Sequence, residues 1–299
     1  MQKNSVQIQS VIFQNEKESL YKAIKAIDNA VRVNREADGL LGDLRLYYGD
    51  ASPEPVFMEK DIKYIKEELC RNISFEYKFF GFNSGSAKGH NILAETCNTD
   101  YIMIMNPDVI LSAHFWGEIF KPFALDKTGM VEARQTPLEH QKEYDIKTGE
   151  TDWATTACAL IRTSIFKDLK GFDSDTFFLY CDDLDFSWRL RLEGFSIIYQ
   201  PLAPVFHAKR LSHNASWQPT SAERYYSMEA AVLMAYKWSN PSRVKELLEV
   251  FKKGGELERK VVEEFMKRKN SGKLPEPIDK NHKIARFYGD FYSKNRYIL

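Results

Sequence analysis

Apolar and polar positions switch between two periods along the first hundred residues. Ile8 to Phe13 reads as a strand, and Asn15-Glu16-Lys17-Glu18 opens a helix with apolar positions at Leu20, Ile24, Ile27 and Val31. Leu44-Arg45-Leu46-Tyr47-Tyr48 predicts a second strand, ending at Gly49-Asp50-Ala51-Ser52-Pro53. Ile62 to Cys70 predicts a helix, Ile73 to Phe80 a third strand and Gly89 to Cys97 a short helix. Tyr101-Ile102-Met103-Ile104-Met105 is apolar without interruption, the pattern of a strand buried on both faces. This βαβαβαβ order predicts a parallel sheet with right-handed crossovers, an α/β domain of nucleotide-binding type. After Ser212 the period becomes helical throughout, with helices expected over Ala222–Trp238, Ser242–Lys253 and Leu257–Arg268. A linker follows at Ser271–Pro277, and Ile284–Leu299 is rich in Tyr, Phe, Lys and Arg.

Composition adds little until it is divided. The chain has 299 residues, 43% hydrophobic and 28% charged, with 42 Lys+Arg against 42 Asp+Glu, an ordinary globular balance that argues against nucleic-acid binding. From Pro241 onward there are 15 Lys+Arg against 9 Asp+Glu, a basic region on an acidic body. Such a region meets an anionic membrane surface or is a solvated helical face. Cys70, Cys97, Cys158 and Cys181 show neither CxxC nor zinc spacing, so buried reduced thiols are expected. Met1-Gln2-Lys3-Asn4 is followed by no apolar leader run, and no run reaches membrane-spanning length. A cytoplasmic location is the expectation.

Two acidic stretches carry the candidate chemistry. Asn106-Pro107-Asp108 ends the buried strand, and ligands of such sheets bind beyond the strands' carboxyl ends. Asp108 either meets a ligand there or caps a helix beginning near Ser112. In Asp182-Asp183-Leu184-Asp185, Asp182 reads as an N-cap and Asp185 pairs with Arg189. Asp183 has no such duty, and a helix N-terminus favours its ionised form, as a general base requires. Between the third strand and its helix, Asn83-Ser84-Gly85-Ser86-Ala87-Lys88-Gly89-His90-Asn91 fits neither a Walker loop nor a dinucleotide fingerprint. It is either a phosphate loop or a plain glycine turn. Trp153 stacks on a sugar or fills the core.

The order of Asn83-x-Gly-x-Ala-x-Gly-x-Asn91, Asn106-Pro107-Asp108, Gly171-Phe172-Asp173 with Phe177-Phe178-Leu179-Tyr180, Asp182-Asp183-x-Asp185 and Pro204-Val205-Phe206-His207 resembles the family 2 glycosyltransferases of GT-A fold. It covers roughly Gln7 to Ser212, and five loose motifs in this order are together specific. Arg134-Gln135-Thr136-Pro137-Leu138-Glu139-His140 and Thr148-Gly149-Glu150-Thr151-Asp152-Trp153 resemble a bacterial rhamnosyltransferase-like branch.

The resemblance implies a Rossmann-like, mostly parallel sheet flanked by helices, over 1–215, with a helical appendage over 216–299. The nucleotide-binding half would be about 1–110 and the acceptor-binding half about 111–215. It implies inverting sugar transfer from a nucleoside-diphosphate sugar, UDP- or dTDP-linked, to a saccharide or lipid-linked acceptor in surface polysaccharide or glycoconjugate synthesis. Asp183 would be the base, Asp108 and His207 would hold Mn²⁺ or Mg²⁺, and Gln14, Asp50, Asn83, Gly89, Asn91, Asn106 and Asp108 would meet the donor. Trp153, Thr155 and Asp182 would meet the acceptor. The chain departs from the family pattern at Gln14, at Gly49 where a carboxylate is common, and at Thr156 where glycine is usual. A noncatalytic sugar- or nucleotide-binding module and a metal-dependent nucleotidyltransferase are the alternative readings. For the appendage, packing on the domain, homodimerisation and peripheral contact with the inner membrane face stay open.

Overall fold

The apolar spacing of the first helix is realised as one buried face. In the computed structural model, which describes residues 3–207 and 218–297, α1 (Lys17–Glu36) buries Leu20, Ala23, Ile24, Ile27, Ala30 and Val31. That face packs on a sheet whose first strands are β1 (Asn4–Ile12), β2 (Leu41–Asp50), β3 (Ser74–Phe79) and β4 (Tyr101–Met105). β1 pairs in parallel with β2 and β4, and β2 in parallel with β3, as expected. All five residues of β4 are buried, which is why no polar residue interrupts its run. The helix expected over Ile62–Cys70 is α2 (Glu59–Tyr64) continuing into a π turn, Ile65–Leu69. The helix expected from Gly89 begins a turn earlier, as α3 (Gly85–Ala94).

Beyond β4 the sheet becomes mixed. Pro107 ends β4, and the chain turns into β5 (Val109–Leu111) before the short α4 (Phe115–Ile119). Asp108 therefore stands in a strand-to-strand turn and does not cap a helix near Ser112. β6 (Thr128–Thr136), β7 (Cys158–Arg162), α5 (Thr163–Asp168), α6 (Asp182–Leu192) and β8 (Ser196–His207) follow. The sheet order is β3-β2-β1-β4-β7-β6-β8-β5, with β7 antiparallel to both β4 and β6, β8 parallel to β6, and β5 antiparallel to β8.

The helical region packs on this domain. α7 (Ser221–Lys237), α8 (Pro241–Lys252) and α9 (Glu256–Asn270) fall where the period predicts them. Trp188 of α6 meets Trp238 edge to face at 5.1 Å, and Phe287 and Tyr292 close around the same indole. These residues belong to one apolar core with Trp153, Phe177 and the buried faces of α7 to α9. The division expected near residue 215 lies outside the described residues. Cys70, Cys97 and Cys158 are buried, Cys181 is half-buried, and all four are free thiols. No described helix is long and apolar enough to cross a membrane.

Candidate active site

Strand register brings the metal-type residues together. Val109 of β5 lies opposite His207 of β8, so the imidazole is laid beside Asp108. His207 Nε2 is 3.5 Å from Asp108 Oδ1 and 3.3 Å from Asn106 Nδ2. On the other edge of the ring, Nδ1 is 2.9 Å from Gln135 Oε1, while Gln135 Nε2 donates to Thr155 Oγ1 at 3.1 Å. With the amide N–H directed to Thr155, the Gln135 oxygen faces the ring and favours the tautomer with the proton on Nδ1, whose Nε2 then faces both Asn106 Nδ2 and Asp108. Asp108 and His207 are thus a convergent oxygen and nitrogen donor pair, chemically suited to a divalent cation and to Mn²⁺ somewhat more than Mg²⁺. Among the described residues no three His, Cys, Asp or Glu cluster for a metal.

The base-type residues sit at the start of α6. Tyr180 and Cys181 both have left-handed backbone, with φ of 68° and 57°, and Cys181 holds the N-cap position expected of Asp182. Asp182 and Asp183 are accordingly the first two residues of the helix, at the positive end of its dipole. Asp185 pairs with Arg189 at 2.8 Å as expected. It also accepts from Trp238 Nε1 at 3.0 Å and meets Lys237 at 2.6 Å, which ties the base helix to the helical region.

The two neighbouring carboxyls differ in environment. Asp182 is buried, is hydrogen-bonded by Ser86, and has one oxygen, Oδ2, without a partner. Burial first, and then the charge of Asp183, pushes it up to about 7. Asp183 is half-buried and better supplied, accepting from Leu184 N at 2.8 Å and from Thr156 N at 3.4 Å. Burial raises it too, but the backbone donors and the Lys142 ammonium pull it back. The two carboxyls titrate as a pair, and Asp183 is the member that the Leu184 and Thr156 N–H groups hold.

Thr155 and Thr156 link the two centres, one hydrogen-bonded to Gln135 behind His207, the other to Asp183. Beneath them lies a buried ion pair that sequence reading missed. Lys142 Nζ contacts Glu132 Oε2, with both side chains under 5% exposed. The ammonium lies 4.2 Å over the Trp153 ring, and His140 packs on the same indole at 5.2 Å. Trp153 is 8% exposed with that face covered, so it fills the core and does not offer its ring for stacking.

The donor-side expectations divide. Gln14, exposed and left-handed at φ 54°, lies at the carboxyl end of β1 with its N–H on Ser52 Oγ at 2.7 Å. Asp50 is fully buried, accepting from Ser52 N at 2.9 Å, from Val56 N at 2.7 Å and from the Tyr77 hydroxyl, and so shapes the loop after β2. A side chain at Gly49 would fall 2.3 Å from the Phe80 ring, so Phe80 occupies the space of the family's carboxylate. Asn83 is exposed and accepts from Gly85 N at 3.2 Å. Gly89 is buried where a Cβ would strike Val11 at 2.6 Å, which makes it a packing residue. The Asn91 amide clamps the Phe172 backbone at 2.8 and 2.9 Å, a bond between α3 and the Gly171-Phe172 turn. Gly85, with φ 64° and the Phe178 carbonyl 2.3 Å from where its Cβ would be, brings the loop directly against the turn that leads to Asp182.

No family model matches this chain. Its sequence is similar to N-acetylglucosaminyl-diphospho-decaprenol L-rhamnosyltransferase of Mycobacterium tuberculosis, 30% identical over 112 residues, which are 36% of each protein. It is also similar to rhamnosyltransferase WbbL of Escherichia coli strain K12, 38% identical over 63 residues, 21% of this chain and 22% of that one. The matches thus span about a third or less of these relatives. The fold is similar to that of GalNAc-T7, solved with UDP, GalNAc and Mn²⁺, at a TM-score of 0.61 and 12% identity, covering 91% of this chain and 56% of that one. Mannosyltransferase PcManGT from Pyrobaculum calidifontis, solved with GDP-Man and Mn²⁺, aligns at 0.58 and 12% identity, covering 89% of this chain and 80% of that one. The chain has the GT-A glycosyltransferase fold, and the resemblance to family 2 rhamnosyltransferase-like proteins is borne out.

Proposed function

We propose that this rhamnosyltransferase-like chain of GT-A fold is an inverting, metal-dependent glycosyltransferase. It moves a hexosyl or deoxyhexosyl group from a nucleoside-diphosphate sugar to a saccharide or lipid-linked saccharide acceptor. The observation that carries this reading is Asp183, a partly exposed carboxyl at a helix N-terminus held by the Leu184 and Thr156 N–H groups. The relatives' names support a rhamnose-type donor, and the Mycobacterium name points to a diphospho-polyprenol acceptor.

In this mechanism Asp183 takes the proton of the acceptor hydroxyl as that oxygen forms its bond to the sugar's C1. The C1–O bond to the diphosphate breaks on the opposite face, its electron pair leaves with the diphosphate, and the anomeric configuration inverts. Asp108 and His207 would hold a divalent cation that acts there as a Lewis acid toward the diphosphate's developing charge. Gln135 keeps the His207 lone pair directed to that position, and Thr156 keeps Asp183 aimed.

Thermal stabilisation by UDP, dTDP, GDP and CMP, each with Mn²⁺, Mg²⁺ or EDTA, tests the donor site. A metal-dependent rise with one nucleotide, lost in Asp108→Ala and kept in Asp183→Ala, is expected. No rise with any nucleotide would overturn the reading.

A further inference from the structure

The positive charge of the helical region is divided unevenly along it. In α8 and α9 the cations stand beside glutamates: Lys260 pairs with Glu256 at 2.7 Å and Lys267 with Glu264 at 3.2 Å, the pattern of a solvated helical face. Residues 280–297 carry five Lys+Arg against a single acid, Asp290. That acid is paired with Arg243 of α8, and Arg296 is paired with Glu139 at 3.3 Å. Lys280, Lys283, Arg286 and Lys294 are exposed and form no ion pair among the described residues.

A second observation is that the same segment has an inner and an outer set of rings. Phe287 and Tyr292 pack on Trp188 of α6, and the Tyr292 hydroxyl lies 4.0 Å from Cys181 Sγ, at the turn that leads to Asp182 and Asp183. Asp279 fixes the start of the segment, accepting from the N–H groups of Lys283, Ile284 and Ala285 at 2.7–2.9 Å. Tyr288 and Phe291 exchange backbone hydrogen bonds at 2.8 and 3.1 Å across a tight turn, so their rings, 39% and 65% exposed, stand on the same side of it. Tyr297 is 64% exposed. A lone exposed ring is ordinary, but three between Tyr288 and Tyr297, set among unpaired cations on an anchored segment, define a surface with its own chemistry.

We propose that the outer face of residues 280–297 docks on an anionic lipid bilayer. The rings enter the headgroup boundary, where an aromatic body is apolar on one side and wet on the other, and the lysines face acidic headgroups. Because the inner face is anchored on α6, docking holds the helix that carries Asp183 at the membrane. The use of this to a lipid-linked acceptor rests on the function proposed above; the docking itself does not.

The test sediments the full chain with vesicles of phosphatidylcholine alone and of phosphatidylcholine mixed with phosphatidylglycerol, at low and at high salt. Binding to the mixed vesicles is expected, falling as salt rises. Lys280→Ala/Lys283→Ala/Lys294→Ala is expected to weaken it about 100-fold, from roughly fivefold for each lysine near an anionic surface. Tyr288→Ser/Phe291→Ser/Tyr297→Ser is expected to weaken it about tenfold or more. All six side chains are exposed, so both variants should fold as the native chain does. Lys260→Ala/Lys267→Ala/Lys269→Ala removes the same charge from α9 and should bind as the native chain. No preference for the mixed vesicles, or an equal loss in the α9 variant, overturns the inference. A loss with the lysine variant and none with the ring variant also overturns it, marking a contact for polyanions in general. Vesicle binding needs neither donor nor acceptor, so its failure leaves the nucleotide test of the transferase reading untouched.

Discussion

The two halves of the sheet treat buried carboxylates in opposite ways. At the end of β2, Asp50 accepts from two peptide N–H groups and a phenol, and these bonds hold the Ser52–Phe57 turn. At the start of α6, Asp182 keeps an unpartnered oxygen, and burial pushes it up to about 7 beside Asp183, which burial raises too while its peptide donors oppose the rise. A saturated carboxylate builds a scaffold; an under-supplied pair is ready to take a proton.

Substitutions at matched positions test that contrast. Asp183→Asn is expected to lower transfer by ~10²–10⁴-fold while metal-dependent nucleotide binding survives, as read from initial rates and thermal shifts. The rate in the native protein should fall as pH drops through the raised Asp183 titration, because protonation removes the base. Gln135→Met should weaken Mn²⁺ binding about 10–100-fold, whereas Gln135→Glu, which still accepts from Nδ1, should retain it; calorimetric titration measures both. Asp50→Ala should leave buried donors unsatisfied and cost about 2–4 kcal/mol, measured by denaturant unfolding. If Asp50→Ala instead abolished nucleotide binding at unchanged stability, the contrast would fail.

The smallest effect expected has the opposite sign. Asp182 has a folded-state value above its unfolded one, so its ionisation opposes folding, increasingly as pH rises from the ordinary carboxylate range to about 7. Asp182→Asn should therefore raise Tm by roughly a few degrees at pH 8, with the advantage vanishing toward pH 4.

Local chemistry was legible in the sequence wherever it rests on local pattern. The unbroken apolar run of β4 placed Asp108 at a strand end, and the i,i+4 spacing of Asp185 and Arg189 marked the helix that carries Asp183. Long-range register was not legible. Nothing within a few residues of Gln135 says that it will lie two positions from His207 along β8, or that Lys142 will find Glu132. The antiparallel β7 escaped notice because its short buried run, Cys158–Arg162, has no period that separates it from a helix segment. The loop contacts of Asp50 were hidden for a related reason: a strand-end aspartate reads alike whether it faces a ligand or its own loop, and nothing local announces the Val56 and Tyr77 bonds. The sequence left open where the helical region goes, and only the structure shows the Trp188–Trp238 contact that joins it to α6.

The left-handed turn at Tyr180 and Cys181 has a consequence for selection. Each residue carries an estimated ~1–2 kcal/mol of backbone strain that glycine would not, so the turn is a reserve of heat tolerance the protein does not draw on. A library screened for survival at high temperature alone would drift toward glycine there, and freed backbone would let Asp182 and Asp183 lose their aim. Thermostability and turnover are thus traded at two adjacent positions, and a screen that rewards both should leave them as they are.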